Sequence, residues 1–359
     1  MRSLLKKAKK TLENDGVKVL GIRVFNYSIV KLKRLTRKTD KANLEKWKQL
    51  KDKYKGERIF VIGNGPSLNR TSVHLLKDEY TMCFNRINLM FERLNFKPDF
   101  YVVIDDLVVL DNDKEINTEI LPQVKYAFFP DIHPSNVDFI NYIDHAENVH
   151  WFKSDIPAFR SDLPYCGHNK TVVNAGLQIA AYLGFSEIYM IGVDMAFSDQ
   201  KVKKITSRDW QAGENDPNHF DPRYFGNGRK YHNPTVPEMI EKFEEGKKFF
   251  DKLGVKIYNA GVGGKLEVFP RVNFDSLFNY TDDEIIALFS DIEILKKMNL
   301  DFRYVIENAP LVTDASAETF PKIFKADIDL GITLIHKLIH TYAPVGPYKG
   351  QYYFVNRSL

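Results

Sequence analysis

The sequence predicts an α/β protein. The expected fold is a doubly wound, mostly parallel, Rossmann-like sheet with a basic N-terminal helical arm and a C-terminal helical appendage. Three observations predict it. From residue 58 to 260, short Val/Ile-rich runs alternate with segments of helical periodicity. Several runs are apolar throughout, the mark of strands buried on both faces. The runs end in Gly, Asn or Asp, which stop strands and sit where such sheets bind ligands.

Residues 1–55 interleave Lys and Arg with Leu4, Leu5, Val19, Ile22, Phe25, Val30 and Leu32, which predicts one or two basic amphipathic helices. Such an arm suits an anionic membrane surface, or a solvated helix packed on the main domain. The first strand is expected over 59–63. It runs into Gly63-Asn64-Gly65-Pro66-Ser67, where two glycines and a proline stop the strand and let a ligand approach the backbone. Thr71-Ser72 offers an N-cap for a short helix over 73–76. The turn is neither a G-x-G-x-x-G nor a Walker A motif, and a tight turn with no ligand is the plain alternative.

Further strands are expected over 80–84, ending at Asn85; over 99–104, ending at Asp105-Asp106; and over 126–129 and 149–152. A helix over 171–183 stops at Gly184, and the strand 187–192 ends at Val193-Asp194. A helix over 237–253 would face inward through Met239, Ile240, Phe243, Phe249, Phe250 and Leu253, ahead of a last strand over 255–258. The polar, aromatic stretch 198–235 follows a strand end directly, as active-site lids do. The expected domains are an arm over 1–55, a nucleotide-binding catalytic domain over 56–278 with its lid at 198–235, and a helical appendage over 279–359. That appendage includes a helix-like stretch at 282–298 and an aromatic tail at 348–354.

Hydrophobic residues at 44% and charged residues at 27% describe an ordinary globular chain. The start lacks the apolar core of a signal peptide, and no apolar run is long enough to span a bilayer. The expected location is cytoplasmic, peripheral at the inner face of the membrane if the arm binds lipid. Two cysteines, Cys83 and Cys166, cannot build a disulfide framework or a cysteine zinc site. A net charge of +4 gives no whole-protein case for nucleic acid. No H-E-x-x-H motif or serine nucleophile elbow is present.

In a parallel sheet all strand C-termini share one edge. That edge would gather Asn64, Ser67, Asn85, Asp105, Asp106 and Asp194, with Asn174 from the first turn of its helix. Nearby loops would add His219, Tyr224, His232, Lys265 and Arg271. Amides, carboxylates, imidazoles and cations in one place suit a nucleotide or sugar nucleotide, with the backbone beyond Gly63 and Gly65 receiving phosphate. Each residue has a plainer role open to it. The aspartates could cap turns or anchor loops, Asn174 could bond backbone, and the histidines could simply be loop residues.

Several of these segments resemble a known family. Gly63-Asn64-Gly65-Pro66-Ser67, Asn85, and the helix and strand from Thr171 to Asp194 resemble the 6-hydroxymethylpterin diphosphokinase-like proteins. That family includes archaeal pterin enzymes and bacterial motility-associated proteins thought to glycosylate flagellin. The stretches 219–226 and 262–271 look like its polysaccharide-associated bacterial members. The same turn, helix and Gly-x-Asp strand end also resemble bacterial sialyltransferases that use CMP-sialic acid. The resemblance covers roughly 55–278.

The sialyltransferase resemblance implies that the Gly-rich turn and Asn85 contact a nucleotide, and that a lid histidine, His232 or its rival His219, is the general base. Tyr224, Arg229 and Lys230 would stabilise the departing phosphate. The sialyltransferase pattern just after the Gly-x-Asp strand is missing at Met195-Ala196-Phe197, which leaves the donor sugar open. The expectation is a glycosyltransferase moving a sugar, a nonulosonate being one candidate, from a nucleotide donor to a glycan or lipid-linked glycan. It would need no metal. The alternatives are an ATP-dependent pterin diphosphokinase, with Mg²⁺ on Asp105, Asp106 and Asp194, and a non-catalytic nucleotide-binding protein of glycan assembly.

Overall fold

The computed structural model describes residues 2–36, 40–94, 96–154, 157–197, 203–206, 209–213, 216–221, 223–225, 229–280, 284, 342–348 and 351–356. Seven strands build the main sheet: β1 (Arg58–Ile62), β2 (Thr81–Phe84), β3 (Phe100–Val102), β4 (Tyr126–Pro130), β5 (Val149–Phe152), β6 (Glu187–Ile191) and β10 (Lys256–Asn259). Their order is β10-β6-β1-β2-β3-β4-β5, and every neighbouring pair is parallel. The chain steps from β1 outward to β5, then returns to place β6 on the other side of β1. The topological switch therefore lies between β1 and β6.

Alternate residues of each strand feed two cores. Phe60, Ile62, Cys83, Tyr101, Phe129 and Ile191 face one side. Ile59, Val61, Met82, Phe84, Phe128 and Met190 face the other. Burial on both faces explains why these strands read as continuous apolar runs. The second core is covered by α2 (Lys41–Leu50), α4 (Val172–Leu183) and α5 (Val236–Lys252). A Cβ on Gly176 would come within 2.7 Å of the Phe84 ring, so α4 needs glycine there to lie against the sheet. Gly184, at φ 96°, ends α4 in the left-handed conformation.

Several expectations shift. α2 lies inside the stretch read as an arm, yet Trp47 and Leu50 are buried and the Trp47 indole donates to the Trp151 carbonyl at 2.8 Å. Of the inner face expected for α5, Phe243 and Phe250 are buried, whereas Leu253 is 45% exposed. Leu253 is the residue that caps the helix, one position past its last turn, in which Phe250 still packs into the core. Residues 73–76 form a 3₁₀ turn without a side-chain cap from Ser72.

α1 (Arg2–Thr36) is broken at Gly16, whose φ and ψ are 80° and 175°. In a straight helix, residues 12 apart are separated by about 18 Å. Here Arg23 donates to the Thr11 hydroxyl at 2.7 Å and pairs with Asp15 at 3.2 Å, so the two halves fold back on each other. Val30 is buried, but Val17, Val24, Phe25 and Leu32 stay exposed. No described helix is long and apolar enough to cross a membrane.

The lid contains a small antiparallel sheet, β7 (Lys203–Lys204), β8 (Asp209–Gln211) and β9 (Lys230–His232). The helix-like stretch 282–298 lies, apart from Glu284, outside the described residues. The appendage expected to be helical shows an antiparallel hairpin, β11 (Tyr342–Tyr348) and β12 (Gln351–Asn356), in which the aromatic tail falls.

Candidate functional site

The C-terminal edge of the sheet has two ends of different chemistry. At the β1/β6 end, the Gly-rich turn is closed by the protein itself. Asp194 accepts the Ser67 N–H at 2.9 Å and the Ser67 hydroxyl. A Cβ on Gly63 would strike the Gly192 carbonyl, and one on Gly65 would strike the Asp194 carboxylate. The sequence assigned these glycines to close approach by a ligand; here the loop after β6 takes that space. The anchoring role left open for Asp194 is the one its oxygens perform.

Around this turn sit amide side chains with unspent acceptors. Asn64 donates to the Phe84 carbonyl at 3.2 Å, and Asn174, fully buried, donates to the Asn169 carbonyl at 2.9 Å. The side-chain oxygens of Asn64, Asn85, Asn169 and Asn174 are buried and have no hydrogen-bond partner among the described residues. A buried acceptor left unpaired costs about 1–3 kcal/mol, so donors from water or from a ligand would complete these four. Asn85 also has φ 50°, in the left-handed region that asparagine enters more readily than other residues with a side chain. Its carbonyl accepts the Tyr101 hydroxyl at 2.6 Å, and its amide bonds Tyr224, whose fully buried hydroxyl is pushed well up by desolvation.

At the β3 end the groups are charged. Asp105 caps α3 (Asp106–Glu115), accepting from Leu107 N–H at 2.8 Å and Val108 N–H at 3.4 Å. Asp106 is buried in the first turn. His232, on β9, brings Nε2 to 3.0 Å from Asp106 Oδ1 and 3.5 Å from Asp105 Oδ1, while its Nδ1 lies 3.0 Å from Asp209 Oδ1. Asp209 stands directly across the β8/β9 pair from His232. His133, beyond β4, puts Nδ1 3.5 Å from Asp106 Oδ1. Burial pushes the Asp105 carboxyl up, Asp106 adds to this, and His232 opposes it.

Beside this cluster lies a small, shallow cleft lined by Arg86, Asp105, Asp111, Tyr224, Arg229 and Lys230 among others. Burial lowers the Arg86 guanidinium, and the nearby positive charge of Arg229 lowers it further. Glu115, 3.6 Å from Arg86, offsets part of that positive charge.

The lid is fastened along the edge. Phe220 N–H donates to the Asn64 carbonyl at 3.0 Å, Arg86 donates to the Arg223 carbonyl at 2.7 Å and to that of Tyr224, and Arg229 donates to Asn112. His219 belongs to a second dyad: its Nδ1 is 2.7 Å from Asp216 Oδ2, and its ring stacks on Tyr224 at 3.8 Å. Lys265 and Arg271 flank the β1/β6 end: the Lys265 N–H donates to the Asp194 carbonyl at 2.6 Å while its side chain is exposed, and Arg271 binds Glu267 and the carbonyls of Gly261, Gly263 and Gly264.

Sequence reasoning missed His133, Asp209 and Arg86 as members of the site. The strand-end rule, carried three residues past β4 and one past Asn85, flags His133 and Arg86. Asp209 leaves no such signal, since only the pairing of two three-residue strands reveals it.

Comparison with known proteins bears out the family resemblance. The model of the 6-hydroxymethylpterin diphosphokinase MptE-like family matches residues 33–200. No curated protein matches the chain. Among solved structures, the MAf glycosyltransferase from Magnetospirillum magneticum AMB-1 is 15% identical with a TM-score of 0.41, over 68% of this chain and 40% of that one. The chain thus spans two fifths of that protein's length. The sialyltransferase CstII from Campylobacter jejuni, in complex with cytidine-5'-monophosphate, is 16% identical with a TM-score of 0.35, over 63% of this chain and 92% of that one.

Proposed function

We propose that the protein is a transferase acting on a nucleotide-activated donor, with the nucleoside at the amide end and group transfer at the charged end. The observation that carries this reading is the meeting, on one sheet edge, of a carboxylate–imidazole cluster with a cleft lined by Arg86, Arg229 and Lys230. Such a cleft suits the phosphates of a donor, and the adjacent cluster suits proton handling at the acceptor. In the glycosyl form, a sugar, with a nonulosonate as one candidate, passes to a glycan or lipid-linked glycan. Asp209 then fixes the ring of His232, which takes the acceptor proton. The Asp105–Asp106–His232 triangle favours a second reading, ATP-dependent diphosphate transfer, which works through a divalent cation.

A thermal-shift series with CMP, UDP, GDP and ATP tests the donor class, because a ligand of the native state raises the melting temperature. No shift with any nucleotide would overturn the reading. The arm adds a membrane role. Exposed Val17, Val24, Phe25 and Leu32 share one helical face between Lys18 and Lys31, and an anionic bilayer matches both features. Full-length protein should float with anionic liposomes and lose that flotation in Val24→Glu/Phe25→Glu. Equal flotation of both forms would remove the role.

A further inference from the structure

The fit of a divalent cation depends on the donors present. His232 lies between two carboxylates, with Nδ1 3.0 Å from Asp209 Oδ1 and Nε2 3.0 Å from Asp106 Oδ1 and 3.5 Å from Asp105 Oδ1. The tautomer that carries its proton on Nδ1, toward Asp209, leaves the Nε2 lone pair beside Asp105 and Asp106. Three electron-pair donors then converge within 4.8 Å of one another, the arrangement of a cation site. A proton shared among His232, His133 and the carboxylates is the competing occupant.

We propose that Asp105, Asp106 and His232 hold one divalent transition-metal cation, with Asp209 as the positioning residue of the imidazole. The proposal rests on the charged end being the transfer centre for the cation's purpose, and on donor geometry for its existence. Atoms about 2.1 Å from a common ion lie about 3.0 Å apart at a right angle and about 3.4 Å apart at the tetrahedral angle. The two separations from Nε2 are of that size, and all three donor atoms lie within 4.8 Å of one another. A carboxylate on the far ring nitrogen is the usual outer partner of a metal-bound histidine, and ligating carboxylates are themselves hydrogen-bonded. Asp209 supplies the first feature. The backbone N–H groups of Leu107 and Val108 supply the second, on Asp105.

Two carboxylates and one imidazole suit Mn²⁺, Co²⁺ or Zn²⁺ better than Ca²⁺, which prefers oxygen alone. The triad differs from the set expected for Mg²⁺, because Asp194 is spent on Ser67 and His232 takes its place. With the cation bound, Nε2 is a ligand, so His232 cannot also be the acceptor's base. The cation would bind donor phosphate beside Arg86 and Arg229.

The test is titration of chelator-stripped, full-length protein with Mn²⁺ by calorimetry, followed by pulsed EPR of the complex. One Mn²⁺ per chain with nitrogen coupling from an imidazole is expected. His232→Gln should lose the nitrogen coupling, and Asp209→Asn should weaken binding about 10–100-fold while keeping it. Wild-type protein that is folded by circular dichroism yet binds no Mn²⁺ overturns the inference and assigns the site to the shared proton. Binding without nitrogen coupling also overturns it, since the ion then sits elsewhere. Nucleotide-induced thermal shifts on the same samples separate this failure from failure of the transferase reading.

Discussion

The two ends of the sheet edge solve different problems with different residues. At β1/β6, glycines, one carboxylate and neutral amides are packed so closely that a single Cβ would not fit, and Asp194 is fully engaged. At β3, five ionisable side chains, Asp105, Asp106, His133, Asp209 and His232, meet beside a cleft whose lining includes Arg86, Arg229 and Lys230. The first end is built for shape and hydrogen bonding. The second is built for charge. The topological switch, where α/β sheets usually take ligands, falls at the neutral end, so recognition and chemistry are expected to be separable by mutation.

The largest effect should come from the charged end. His232→Ala is expected to lower turnover by about 10²–10⁴-fold, whether the imidazole moves a proton or holds a cation. Steady-state kinetics with nucleotide affinity measured in parallel is the check. Affinity unchanged sharpens the division, and collapse of both would break it.

At the neutral end, Asp194→Ala leaves the Ser67 N–H and hydroxyl without their acceptor. Two hydrogen bonds to a charged group imply a loss of about 3 kcal/mol in urea unfolding. Nucleotide affinity should fall with it, because the turn loses its anchor. Stability unchanged would mean that the turn holds itself.

Acid titration needs a correction before pH profiles of the two ends are compared. Burial lowers the His150 imidazole from 6.5 to about 4. The unfolded chain takes up that proton first, so stability falls as pH drops from 6.5 toward 4 and is unaffected above that window. The loss is about 3 kcal/mol at most, and His150→Phe should flatten it in urea unfolding at a series of pH values. A slope that persists in the variant would assign the acid sensitivity to the charged cluster instead.

The smallest effect is the most selective. Asn85→Ala should weaken nucleotide binding by about 1–3 kcal/mol and leave turnover at saturation nearly intact. Calorimetry of nucleotide binding decides it, and unchanged affinity would strip Asn85 of its role.

Much of this layout was legible in the sequence because strands buried on both faces announce themselves and because strand ends are local. β1, β2, β4, β5, β6 and β10 fall within a residue or two of their expected bounds. Asn64, Asn85, Asp105 and Asp194 could be placed on one edge without any contact being known. The contacts themselves were out of reach. His232 meets Asp106 across 126 positions of sequence, and no periodicity states which lid residue faces which strand end. The same gap hid the embrace of Gly63 and Gly65 by the loop after β6, since close approach by protein and by ligand demand the same glycine.

The fastening of the stretch 198–235 divides the charged cluster between two parts of the chain. A backbone bond at Asn64, the guanidinium of Arg86 and the contacts of His232 hold that stretch to the sheet edge at three points. Asp209 and His232 both come from its small sheet, on β8 and β9, whereas Asp105 and Asp106 come from the chain that leaves β3. The cluster is complete only while the two parts stay in register, so a substitution at any of the three fastenings reaches the charged groups without touching them.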